Sequence, residues 1–106
     1  MGVACGVPAT ALDPYVVDVL LPDLVGHDRH PSAFLVYLVL WHRTAGGRRE
    51  AALSLRELAE ATGLSKRAVQ GALATLERRR LLAIDRAAPT AIPSHRVLRP
   101  WDRGAR

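Results

Sequence analysis

The segment from Ser54 to Leu76, SLRELAEATGLSKRAVQGALATL, constrains this chain more than any other, because it carries the start and stop signals of two helices joined by a tight turn. Ser54 and Glu57 match an S-x-x-E capping box: the hydroxyl accepts an N–H that the first helical turn leaves unpaired, and the carboxylate reaches back to the serine N–H. The helix that begins at Leu55 should end at Thr62-Gly63, where glycine tolerates the left-handed backbone of a helix stop. Ser65 is a second N-cap. After it, Ala68, Val69, Ala72, Leu73 and Leu76 recur at intervals of three and four, which predicts an amphipathic helix over 66–79. Lys66, Arg67, Gln70, Ala74, Glu77 and Arg78 fall on its outer side.

The flanks read less sharply. Residues 1–12 are small and uncharged with no period, and are expected to form a mobile tail. From Asp13 to Gly26, apolar positions 16, 17, 20, 21, 24 and 25, with Pro14 at the start and Pro22 inside, predict a short kinked helix. Pro31 and Ser32 open an apolar stretch from Ala33 to Trp41 that Gly46-Gly47 closes. It is read as a core helix with Phe34, Leu35, Leu38 and Trp41 on one stripe, a buried strand being the competing reading. Ala52 and Leu53 suit a brief strand. LLAIDR and HRVLRPW, separated by turn-rich residues, read as a β-hairpin. One domain over 13–101, with a polar tail at 102–106, is expected from this length.

Helix, short strand, helix, tight turn, longer helix and hairpin, in that order, resemble a winged helix-turn-helix: a mainly α fold with a small β-hairpin. The resemblance is carried by LRELAEATGLSKRAVQGALATLERRRLLAI, Leu55 to Ile84. Counted from Leu55, Ala59 is fifth, Gly63 ninth and Val69 fifteenth, where that family places a small residue, a turn glycine and a β-branched core residue. Each has a physical reason: Ala59 lets the helices approach, Gly63 turns the chain, and Val69 fixes one helix on the other. The wider pattern, over about residues 31–100, is similar to N-terminal domains of phage replication-initiator proteins and to MarR- and GntR-like transcriptional regulators.

The resemblance implies a module that binds double-stranded DNA, acting in transcription regulation or replication initiation, with its second motif helix in the major groove. That puts Ser65, Lys66, Arg67 and Gln70 nearest the bases. Arg67 can pair bidentately with guanine and Gln70 with adenine, while Ser65 and Lys66 hold phosphate at the helix N-terminus. Arg86, His95 and Arg96 flank the wing and are expected to reach phosphate or an adjacent minor groove. The wing loop itself carries no charge. The alternative is a winged-helix adaptor that binds protein, which would show apolar or acidic residues where this chain has Lys66, Arg67 and Gln70.

Charge agrees with a polyanionic partner. The chain has 15 Lys+Arg against 10 Asp+Glu, a net +5. Asp13, Asp18, Asp23 and Asp28 against Arg29 alone give residues 1–30 a net of −3, which leaves +8 for the remainder. Cys5 is the single cysteine, so an intrachain disulfide is excluded and a cytoplasmic protein is expected. A membrane partner is not expected, since no apolar run reaches 18 residues. His27, Asp28 and His30 lack a second cluster at zinc spacing and are read as surface residues. No metal, cofactor or enzymatic activity is expected, because no nucleophile, zinc or phosphate-loop motif occurs. Tyr15, Tyr37, Trp41 and Trp101 are read as packing residues. A homodimer fits, since symmetric operators favour pairs of recognition helices.

Overall fold

The computed structural model describes residues 9–45, 50–86 and 92–102. At its centre is α1, Pro31–Arg43, a helix and not a strand. Pro31 occupies the first helical turn, where its fixed φ suits the helix and its missing N–H costs nothing. Thr44 ends it, with its hydroxyl donating to the Leu40 carbonyl at 2.8 Å. The buried side is made by Ala33, Phe34, Val36, Tyr37, Leu40 and Trp41. The expected stripe holds at Phe34 and Trp41 but fails at Leu35, which is 41 % exposed. The reason is that α1 is covered from several sides: by the N-terminal segment, by two further helices and by a strand.

The N-terminal segment is helical as expected, but in a wider register. Val16–Leu20 and Asp23–His27 are π-helical, closed by Leu21 N–H to Val16 O and Asp28 N–H to Asp23 O. Pro22 lies between them and supplies no N–H, so the hydrogen-bond ladder is interrupted there. Val16, Leu20 and Leu24 are buried. Contacts extend back into the stretch read as a tail, since the Trp41 Nε1–H donates to the Ala11 carbonyl at 2.8 Å. The aromatic residues, far apart in sequence, converge: Tyr15 stacks on Trp101 at 4.4 Å between centroids, and Trp101 stands 6.5 Å from Trp41. Asp13 accepts the Trp101 Nε1–H at 3.2 Å, so this cluster fastens the N-terminal segment and the chain after the sheet to α1.

Two helices follow, α2 at Leu55–Thr62 and α3 at Lys66–Arg78. Three short strands, β1 Ala51–Ala52, β2 Leu82–Asp85 and β3 Ser94–Val97, form an antiparallel sheet in the order β1-β3-β2. β2 and β3 pair from Leu82↔Val97 to Asp85↔Ser94, which is the expected hairpin, and β1 adds to its other edge through Ala51↔His95. Helices with this sheet behind α3 make a winged helix-turn-helix. The wing loop, residues 87–91, lies outside the described residues. Among the described residues no helix is long and apolar enough to cross a membrane.

Candidate nucleic-acid interface

Local chemistry sets the angle between α2 and α3. The capping box at Ser54 is complete: Glu57 N–H donates to Ser54 Oγ at 3.1 Å, and Ser54 N–H to Glu57 Oε1 at 3.0 Å. The bond from the Ser54 N–H, and then the Ser54 side chain, hold the Glu57 carboxyl below the usual carboxylate range. Gly63 ends α2 at φ 78°, a left-handed conformation that a side chain would strain. Thr62 bridges the turn, its hydroxyl donating to Leu58 O at 2.7 Å and accepting from Leu64 N–H at 3.3 Å. Leu58 and Val69 are fully buried where the two helices meet, with Ala59 packed against the same core.

At the start of α3, Ser65 Oγ accepts the Ala68 N–H at 3.1 Å, and the Ser65 carbonyl accepts the Val69 N–H at 3.0 Å. The N–H groups of Lys66 and Arg67 are thus the donors that the helix leaves over, at its positive end. Ser65, Lys66, Arg67 and Gln70 are all exposed and share this end of the helix, followed by exposed Gly71, Ala74 and Arg78. Neither Lys66 nor Arg67 has an acidic partner among the described residues. The face is cationic, unpaired and free of bulky side chains in its middle.

The other three expected contact residues separate. Arg86 is exposed at the end of β2, its guanidinium 3.5 Å from Glu77 of α3, and so borders this face. Arg96 is exposed on the opposite side of the sheet, beside Glu50, Asp85 and Ser94. His95 is a correction. It is 1 % exposed, its Nε2 stands 2.9 Å from the Leu53 carbonyl, and burial pushes its pKa below the ordinary histidine value. Side chains alternate across a strand, so when Arg96 points outward His95 points into the core. A ring enclosed there fastens β3 to the residue before the α2 cap and presents nothing to a groove.

Sequence reasoning also missed how the run Arg78-Arg79-Arg80 divides. Arg79 turns inward and forks, one guanidinium nitrogen donating to Asp28 and the other to Asp23. The His27 hydrogen bond and then Arg79 hold the Asp28 carboxyl below its usual range. Asp23, His27 and Asp28 have potential ligand atoms within 4.8 Å of one another, but both carboxylates are engaged by this guanidinium. Arg78 stays on the outer face. The pairing spans more than fifty residues, so no local pattern could have signalled it.

Residues 30–82, half of the chain, match a family described as helix-turn-helix domain. The chain belongs to the helix-turn-helix domain family. The match takes in α1, β1, α2 and α3 and stops at the first residue of β2. A helix-turn-helix of this kind points to DNA as its partner, and the family is typically one of non-enzymatic binding domains. No curated protein and no solved structure matches the chain.

Proposed function

We propose that the chain binds double-stranded DNA by laying the N-terminal half of α3 in the major groove, in transcription regulation or replication initiation in the cytoplasm. The observation that carries this reading is the exposed and acid-free group Lys66, Arg67 and Gln70 at the N-terminal end of α3. Arg67 would fork onto a guanine edge and Gln70 onto adenine, and Lys66 would take a phosphate. Ser65 Oγ is occupied as an acceptor by its cap, yet its hydroxyl proton remains available to a phosphate oxygen. Arg86 would contact the backbone from the wing stem, where it borders the exposed face of α3. Small residues at Gly71 and Ala74 allow the helix to sit close to the base edges. Each chain presents one such helix, so an operator of two half-sites would engage two copies.

Selection from a random duplex library tests this. Wild-type protein should enrich a defined motif, and Arg67→Ala and Gln70→Ala should each relax it at a different base position. Folded protein that enriches no duplex would refute DNA binding and direct the search to a protein partner.

A further inference from the structure

Arg29 lies just before α1, outside every feature that the sequence marks for DNA. Its neighbours fix where it sits. Asp28 is ion-paired to Arg79 at the end of α3, and His30 reaches α3 at Gly71, where a Cβ would stand 3.8 Å from its Nε2. Gly71, Thr75 and Arg79 are four residues apart and line one edge of α3, so the backbone of Arg29, between Asp28 and His30, passes along that edge. The opposite edge carries Glu77, against which Arg86 rests. The exposed face of α3 is therefore bordered by one arginine on each side.

Arg29 is exposed and has no hydrogen-bond or ion-pair partner among the described residues. Its backbone is left-handed, with φ 52°, a conformation that glycine adopts most easily. The nearby carboxylates, Asp23 and Asp28, both bond to Arg79, and neither bonds to Arg29. A helix with its side chains is about 10–12 Å across and the major groove about 12 Å wide, so a helix lying in it has a sugar–phosphate backbone along each flank. Resting on the DNA-binding reading above, we infer that Arg29 contacts a phosphate of one strand while Arg86 faces the other. The two arginines clamp the duplex about α3.

The test measures duplex binding over a salt series for wild type, Arg29→Gly, Arg29→Lys and Lys66→Ala/Arg67→Ala. Glycine relieves the left-handed backbone, so Arg29→Gly should fold at least as stably as wild type. It should nevertheless bind roughly three- to tenfold more weakly, on all sequences alike, with a slope of log K against log salt shallower by about 0.9, one phosphate contact. Arg29→Lys should restore the slope. If Arg29→Gly matches wild type in affinity and slope while the Lys66/Arg67 variant is impaired, the clamp is wrong and the α3 reading stands. If wild type fails to bind duplex at all, both fall together.

Discussion

Replacing Gly71 with alanine should make this protein more stable. Gly71 stands in the middle of α3, with six residues of the helix between it and the last, Arg78. Glycine in a helix interior costs roughly 0.5–1 kcal/mol relative to alanine, because the unfolded chain has more backbone freedom to lose. The substitution keeps that gain only if the new methyl meets no obstacle. Here its nearest neighbour outside the helix backbone is His30 Nε2 at 3.8 Å, an ordinary van der Waals contact worth about 0.1–0.2 kcal/mol. The helical φ needs no glycine, since Gly63 is the one glycine with positive φ among the described residues. Gly71→Ala should therefore add about 0.5–1 kcal/mol, or roughly 2–8 °C in Tm for a domain of this size. Urea denaturation reads it directly: the midpoint should rise while the m-value is unchanged. A lower midpoint would mean that α1 and α3 approach more closely than described, or that α3 is not helical at this position.

Gly63→Ala should act in the other direction, costing at least about 1 kcal/mol by thermal melting, since it forces a side chain into the left-handed turn between α2 and α3. Arg79→Met should cost on the order of 1 kcal/mol, because the pair is partly exposed; the loss should shrink in high salt, and a melt showing no change would remove the ion pair from the forces holding the N-terminal segment. Burial lowers the pKa of His95 in the folded state, so the fold disfavours its proton: its contribution to stability is complete above the unfolded value near 6.5 and is lost as pH falls below it. Denaturation midpoints at pH 7.5 and 5.5 should differ more for wild type than for His95→Gln; an equal difference would contradict the burial of the ring.

Much of this architecture was legible in the residues because its signals are local. Ser54 with Glu57, Gly63 and Ser65 each act within four residues, and the spacing of Val69, Ala72, Leu73 and Leu76 states directly which side of α3 is buried. α1 gave less because nearly every residue in it is apolar, so its pattern could not tell Leu35 outside from Val36 inside; only the elements packed around it decide that. A strand of four residues has two faces and no label, so HRV left both His95 and Arg96 eligible for the wing until the pairing with Ile84 and Ala51 turned His95 inward. Arg79 with Asp28, and Tyr15 with Trp101, meet only through the folded chain, and nothing near either partner in sequence announces the other.

Whether the cationic end of α3 binds duplex DNA is read by fluorescence anisotropy over a salt series, comparing wild type with Lys66→Ala/Arg67→Ala. Wild type should give a straight line of negative slope in log K against log salt, and the variant weaker binding with a shallower slope, since released counterions scale with phosphates neutralised. Identical affinity and slope in a folded variant would contradict binding through that end of α3.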